Sequence, residues 1–203
     1  MNSTLPAAQA LSPRVHWIGA LDPAMRSFDI ILKTPNGTTY NAYAVRGSSG
    51  VAIIDTVKAE CAAQFLTRLE SVTRYDEIRY IVLNHLEPDH SGALPELMRR
   101  APQAQLIISE AAQQMLKALL KQTDIPFTPA AHNDTISLGD RTLRFLNTPY
   151  LHVFAKMVIY FSLAYIPLFS YKSNRALAPF FIWYPYHSNF IHTIDFTQYV
   201  FHY

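Results

Sequence analysis

A short stretch of the chain carries four side chains of the types that bind metal ions. It reads Asn84-His-Leu-Glu-Pro-Asp-His-Ser-Gly92, here called the ligand segment, and its candidate ligands are His85, Glu87, Asp89 and His90. His85 and Glu87 are two residues apart, so their side chains point the same way in an extended chain. Asp89 and His90 stand where the chain turns into a helix. The four groups could therefore converge on two neighbouring ions, one polarising the substrate and the other clamping it.

The donor types narrow the choice of metal. Two imidazoles and two carboxylates without a thiolate suit iron, manganese or zinc better than copper(I). The single cysteine, Cys61, excludes a zinc ribbon and an internal disulfide framework, and closed structural zinc sites more often use cysteine. The alternative is that these acids and histidines form only a solvated, salt-bridged surface loop.

Regular elements must position the ligand segment. The apolar run Ile78–Leu83 predicts a buried strand directly before it, and Ser91–Arg100 predicts the helix after it. Upstream, Val51–Ile54 predicts a strand that ends in Asp55, and Lys58–Val72 has the spacing of a helix. Short strands with tight turns come first, and strands alternate with helices afterwards. This order predicts an α/β (α+β) fold, a sandwich of sheets with helices outside.

The composition changes near residue 150. The chain has 203 residues, a net charge of +2 and 50% hydrophobic residues, which excludes global disorder and a nucleic-acid binder held by phosphate contacts. All six glycines precede residue 151, whereas residues 151–203 hold 16 of the 26 aromatic residues and a single acid, Asp195. The two parts therefore have different histories or different environments.

Other patterns bear on where the protein resides. The N-terminus has no basic start followed by an apolar run, so we expect no signal peptide, and one cysteine fits a reducing compartment such as the cytoplasm. The longest apolar stretch of the tail is Met157–Phe169, shorter than the roughly 20 residues of a membrane-spanning helix. It is interpreted as a buried strand or hairpin, with a membrane-associated segment or a non-native end as alternatives.

The spacing His85-x-Glu87-x-Asp89-His90 resembles the flavodiiron variant of the metallo-β-lactamase motif. The hydrolases of that superfamily carry H-x-H-x-D-H, and a Glu in the third position is typical of flavodiiron proteins. Further stretches resemble the family in the same order, namely Trp17–Asp22, Phe28-Asp29, Gly37–Tyr43, Ala52–Thr56 and Phe145–His152. The resemblance covers roughly residues 14–152. It is closest to the multidomain flavodiiron proteins, or A-type flavoproteins, of oxygenic phototrophs.

This resemblance implies a metallo-β-lactamase-like αββα sandwich that is incomplete in its C-terminal half. Residues 1–152 would form the diiron domain and residues 153–203 a divergent aromatic-rich tail, with the flavodoxin-like domain absent. It also implies that His85, Glu87 and His152 ligate one iron, and that Asp89 and His90 ligate the other. Asp55 would orient the ligand segment by hydrogen bonds, the alternative being a simple strand-end cap.

The sequence departs from the family after His152. The family has a bridging Asp in a Phe-Ser-x-Asp context downstream, where Leu168-Phe-Ser-Tyr-Lys172 offers no carboxylate. A further His ligand also lacks a counterpart, because His187, His192 and His202 stand in no matching motif. A shifted reading frame, or a truncated and rearranged gene, would explain both departures.

Three functions follow as hypotheses. The first is a flavodiiron oxidoreductase that reduces dioxygen or nitric oxide with electrons from FMN, carried by another domain or partner, its activity in this chain being weak or lost. The second is a dinuclear metallohydrolase of the same fold. The third is a non-catalytic remnant or interaction partner, which could form a homo- or hetero-dimer with a full-length relative. We expect neither nucleic acid nor a membrane as a partner.

Overall fold

The computed structural model describes residues 7–28, 32–112, 116, 126–147, 157–161, 183–185 and 191–193. Within them the strands are β1 (Gln9–Ser12), β2 (Val15–Trp17), β3 (Ala20–Asp22), β4 (Ser27–Phe28), β5 (Leu32–Lys33), β6 (Thr38–Tyr40), β7 (Tyr43–Gly47), β8 (Gly50–Ile54), β9 (Ile78–Leu83), β10 (Gln105–Ser109), β11 (Phe127–Ala130), β12 (Thr135–Ser137), β13 (Thr142–Asn147), β14 (Met157–Phe161), β15 (Trp183–Pro185) and β16 (Ile191–Thr193).

The described residues include the α-helices α1 (Ala62–Glu70), α2 (Pro88–Ser91) and α3 (Leu94–Arg100), and 3-10 turns at Ala59–Cys61, Tyr75–Glu77 and Glu110–Ala112. In this part of the chain, no helix combines the length and the apolar character that crossing a bilayer requires.

A seven-stranded mixed sheet forms the centre of the fold, in the order β1-β2-β7-β8-β9-β10-β11. In this order, the neighbouring strands β1, β2, β7 and β8 pair antiparallel, and the neighbouring strands β8, β9, β10 and β11 pair parallel. The connections account for this change. A tight turn at Ser48 and Ser49 joins β7 to β8, whereas the chain crosses over through α1 between β8 and β9, and only a crossover connection can return a strand parallel to its neighbour.

Both faces of the central sheet are buried, because alternate residues of its strands point to opposite sides. The core on the helix side includes Ile53, Phe65, Ile81, Leu97 and Ile108. The core on the other side includes Ile54, Val82, Ile107, Leu143 and Phe145. Helices therefore cover one face and the sheet containing β13 covers the other, which is the α-β-β part of the predicted αββα sandwich.

The second sheet has the order β12-β13-β14 and is antiparallel. Its last strand, β14, belongs to the aromatic-rich tail and lies within the stretch Met157–Phe169 that was interpreted as a strand or hairpin. The sheet thus contains strands from both sides of residue 152, at which the sequence places the end of the diiron domain. The domain division at this residue stays a prediction.

The structure confirms the strands around the ligand segment and corrects the helix after it. β8 and β9 match the predicted strands. The predicted helix Ser91–Arg100 is wrong at its start, since α3 begins at Leu94 and α2 is a separate helical turn from Pro88. Pro88 occupies the first turn of α2, where its missing N–H would have no partner anyway. Asp89 and His90 therefore lie on a helical turn.

Candidate metal centre

The candidate site lies where the neighbouring parallel strands β8 and β9 end. Asp55 follows β8, and Asn84 and His85 follow β9. The parallel ladder continues to this point, because the Asp55 N–H donates to the Val82 carbonyl at 2.8 Å. Parallel strands end at the same edge of a sheet, so this pairing brings Asp55 beside a segment that lies 29 residues further along the chain.

Asp55 is the centre of a buried hydrogen-bond network. Its carboxylate accepts the Asn84 main-chain N–H at 2.7 Å, the Asn84 side-chain amide at 2.9 Å, and its Oδ2 lies 3.2 Å from Nδ1 of His90. The side chain is fully buried, so these donors replace the water that a charged carboxylate would otherwise need. Asp55 also has φ of 58°, a left-handed conformation that Asp tolerates better than most residues.

The imidazole of His90 lies between two carboxylates. Nδ1 faces Asp55, and Nε2 lies 3.2 Å from Oδ2 of Asp89. Burial alone would lower the pKa of His90, but the two carboxylates outweigh it and raise the pKa to about 9. This part of the site therefore favours a positive charge, and a proton or a metal ion at Nε2 would compete for the same position.

The second imidazole of the segment is adjacent. The ring centroids of His85 and His90 are 3.9 Å apart, with the rings tilted by 47°. His85 is 1% exposed, His90 3% and Asp89 7%, whereas Glu87 is half-buried. A solvated surface loop is therefore the wrong interpretation for His85, Asp89 and His90.

Main-chain contacts hold the rest of the ligand segment. The Glu87 N–H donates to Nδ1 of His85 at 3.3 Å. The Ser91 hydroxyl donates to the carbonyls of Leu86 and Glu87 at 3.0 and 3.1 Å. These contacts fix the backbone between the first and last candidate ligands.

The donor chemistry fits a pair of iron, manganese or zinc ions, although the described residues do not complete a site. Among them, no three His, Cys, Asp or Glu side chains are grouped so that they could hold one ion. The resemblance assigns two described residues to each ion: His85 and Glu87 to one, Asp89 and His90 to the other. His152, the remaining predicted ligand, lies outside the described residues.

Sequence reasoning missed three residues that the structure places in the site. Asn84 binds Asp55, Thr56 binds the main chain of His90, and Ser91 binds the segment itself. Asn84 and Ser91 directly flank the predicted ligands, and Thr56 follows Asp55. That adjacency is the signal that could have found them, because polar residues beside a buried site usually need a partner within it.

Comparison with known proteins points to one family. The sequence model described as "ODP family beta lactamase" matches residues 38–202. Among solved structures, the rubredoxin oxygen:oxidoreductase of Desulfovibrio gigas superposes with a TM-score of 0.73 at 36% identity, over 76% of this chain and 38% of that one.

Sequence relatives agree with this result. A type A flavoprotein of Rhodobacter capsulatus is 63% identical over 145 residues, which are 70% of this chain and 33% of the relative. A nitric oxide reductase of Moorella thermoacetica is 33% identical over 144 residues, 70% of this chain and 36% of the relative. A diflavin flavoprotein fragment of Nostoc is less similar, at 25% identity over 76% of this chain with a TM-score of 0.66. The chain spans about a third of the length of the curated relatives it matches.

Proposed function

Because this chain belongs to the ODP family of the beta-lactamase fold and is homologous to flavodiiron proteins, we propose that it is part of an oxidoreductase of the flavodiiron type. Its substrate would be dioxygen or nitric oxide, and its electrons would come from FMN. The observation that carries the proposal is the burial of His85, Asp89 and His90 at the shared end of two parallel strands, with His90 in contact with the other two, in a segment with Glu87 in the third position.

The proposed ligands divide into two sets. His85 and Glu87, with His152, would hold one iron, and Asp89 and His90 would hold the other. The adjacent rings of His85 and His90 support two neighbouring ions, because each imidazole could then bind a different one. When bound, the iron pair would supply the binding position for the diatomic substrate and the electrons for its reduction.

The chain's own residues would prepare this site before substrate arrives. Asp55 accepts a hydrogen bond from the Nδ1–H of His90, so Nε2 is the ring nitrogen at which a metal ion would take the place of a proton. Asn84 keeps the carboxylate of Asp55 in place. Burial of His85, Asp89 and His90 excludes water from their side of the site, and electrostatic interactions are stronger where water is excluded.

The electron donor and the partners belong to the same proposal. FMN would reach the site on another domain or a partner protein, and the chain would form a homo- or hetero-dimer with a full-length relative. We expect a cytoplasmic location. Activity of these 203 residues alone would be weak or lost, since Leu168–Lys172 offers no carboxylate to bridge two ions, and a site short of ligands binds metal poorly.

Metal content tests the proposal directly. The chain is purified anaerobically with ferrous iron, and iron and zinc per chain are counted by inductively coupled plasma mass spectrometry. The variant His85→Ala removes a proposed ligand, and His132→Ala, at an exposed position, is the matched control. We expect fewer iron ions per chain than a complete pair, fewer still in His85→Ala, and the wild-type content in His132→Ala.

Two other results would contradict the proposal. Zinc in place of iron, together with turnover of a chromogenic ester, would favour the metallohydrolase. Equal metal content in wild type and His85→Ala, or none in either, would favour a non-catalytic remnant. Where iron is found, consumption of dioxygen or nitric oxide with reduced FMN measures how much activity the chain retains.

A further inference from the structure

Thr56 makes two hydrogen bonds to one atom of the ligand segment. Its main-chain N–H and its hydroxyl both donate to the carbonyl oxygen of His90, at 2.8 and 2.7 Å. Thr56 is fully buried. Nothing in the chain's local sequence requires this contact, because the two residues are 34 positions apart.

The backbone conformation of Asp55 makes the contact possible. Since Asp55 is left-handed, with φ of 58°, the chain turns sharply after β8. Asp55 then faces the ring of His90 and Thr56 faces its carbonyl, while the Val57 carbonyl accepts the Ala93 N–H at 2.9 Å. Three consecutive residues thus bind successive parts of the stretch from His90 to Ala93.

The His90 carbonyl oxygen does not need this second bond, whereas the buried Thr56 hydroxyl finds in it the partner that a buried polar group requires. The His90 carbonyl already accepts the Thr56 main-chain N–H, and one partner is enough for a buried carbonyl in most proteins. The hydroxyl adds a second hydrogen bond to the same oxygen. With the carbonyl held by Thr56 and Nδ1 held by Asp55, both ends of His90 are fixed, and so is the direction in which Nε2 points.

We propose that Thr56 is a positioning residue. Its hydroxyl fixes the imidazole of His90 toward the metal ion that Asp89 and His90 would hold. The effect on the ion rests on the proposed function. The effect on the ring does not, because it follows from the contacts of the metal-free chain. Hydrogen bonds to the second ring nitrogen of a metal-binding His, such as that between Asp55 and His90, typically change metal affinity by about 10- to 100-fold. Thr56 acts on the same ring through the main chain of His90.

Two variants isolate the hydroxyl. Thr56→Val removes the donor while keeping the shape of the side chain, and Thr56→Ser keeps the donor. Thr67→Val is the matched control, because the Thr67 hydroxyl also donates to a main-chain carbonyl, that of Ala63 at 2.9 Å, but on the exposed side of α1. Circular dichroism first establishes that each variant is folded.

The first measurement uses the metal-free chain labelled with ¹⁵N-histidine. Nδ1 of His90 carries a proton, since it faces a carboxylate that can only accept. We expect exchange of this proton with water to be faster in Thr56→Val than in the wild type, by more than the difference between the wild type and Thr67→Val. Thr56→Ser and Thr67→Val should match the wild type. Unchanged exchange in a folded Thr56→Val variant would overturn the inference.

The second measurement titrates each variant with ferrous iron under anaerobic conditions. We expect Thr56→Val to weaken one of the two binding steps by about tenfold and to leave the other unchanged. Equal affinities in wild type and Thr56→Val would contradict the role toward the metal. If the wild type binds no iron, the proposed function fails, and proton exchange alone decides whether Thr56 fixes the ring.

Discussion

Oδ2 of Asp55 lies 3.2 Å from Nδ1 of His90, and both side chains are buried although 35 residues separate them in sequence. This contact joins the end of β8 to the helical turn α2. It gives the carboxylate a donor and gives the imidazole a fixed orientation. The site therefore depends on the pairing of two strands as much as on the ligand segment itself.

Asp55→Asn should disrupt this network while preserving its shape. An amide presents an NH₂ group in place of one carboxylate oxygen, so at least one of the three N–H groups that donate to Asp55 loses its acceptor. We expect the free energy of unfolding in urea to fall by about 2 kcal/mol, and iron content to fall with it.

The control for this variant is Asp76→Asn, which removes a carboxylate paired with Arg74 on the surface. Exposed ion pairs contribute little to stability because solvent screens them, so this variant should unfold almost as the wild type does. If Asp55→Asn were as stable as Asp76→Asn and bound as much iron, the Asp55 network would have no part in holding the site.

Local sequence signals predicted β8, β9 and the ligand segment, because apolar runs and ligand types are visible within a few residues. They also predicted the sandwich, whose layers follow from the order of strands and helices. The network of Asp55, Thr56 and Asn84 was only partly predictable. It depends on the register of β8 against β9 and on one left-handed residue, and neither is encoded within a short stretch of sequence.

The split between α2 and α3 shows a similar limit. Apolar spacing indicated one helix from Ser91 to Arg100. It contains no information on the close approach of Gly92 to Ala59, or on the start of α2 at Pro88. Boundaries of this kind are set by tertiary packing. His152 was predicted only from the resemblance of its surrounding sequence to flavodiiron proteins, and its role stays a prediction.

Glu77 should make the stability of the fold depend on pH. Its carboxylate accepts hydrogen bonds from Arg46 at 3.0 and 3.2 Å, from the Arg74 main-chain N–H at 3.0 Å and from the Thr73 hydroxyl at 3.0 Å. These bonds, chiefly those from Arg46, lower the pKa of Glu77 to about 2. A lowered carboxyl pKa stabilises the fold above the ordinary value of 4.5, and this contribution is lost as the pH falls toward 2.

Glu77→Gln tests this dependence. Because the side chain is partly exposed, solvent screens the interaction, and we expect a loss of about 1 kcal/mol at pH 7 that shrinks as the pH falls below 4.5. Urea denaturation at pH 7, 4.5 and 3 measures it, with the exposed Glu60→Gln as control. A difference between Glu77→Gln and wild type that stays constant over this range would contradict the prediction.

The reading-frame hypothesis makes a prediction about the gene. If a shifted frame produced the sequence after residue 152, another frame downstream of that codon should encode a Phe-Ser-x-Asp segment. Sequencing the coding DNA and translating all three frames provides the measurement. The family model, however, matches as far as residue 202. If no other reading frame encodes a Phe-Ser-x-Asp segment, the tail is a divergent part of the family sequence and the reading-frame hypothesis is wrong.

Gly92 should be intolerant of any side chain. A Cβ at this position would lie 2.4 Å from the Ala59 main-chain nitrogen and 2.7 Å from the Pro88 carbonyl oxygen, and both atoms belong to backbone that cannot easily move. Gly92→Ala would therefore push α2 away from the 3-10 turn at Ala59–Cys61. We expect the free energy of unfolding to fall by about 2 kcal/mol, which for a chain of this size lowers the melting temperature by about 4–8 °C.

The same displacement should reach the metal site, because Asp89 and His90 lie on α2. Differential scanning calorimetry gives the melting temperature, and iron counting gives the occupancy. Ala63→Gly on α1 is a useful comparison, since it destabilises a helix by about 1 kcal/mol without touching α2. If Ala63→Gly and Gly92→Ala lost iron equally, general destabilisation would explain the loss. Iron lost only in Gly92→Ala would mean that the position of α2 sets the geometry of Asp89 and His90.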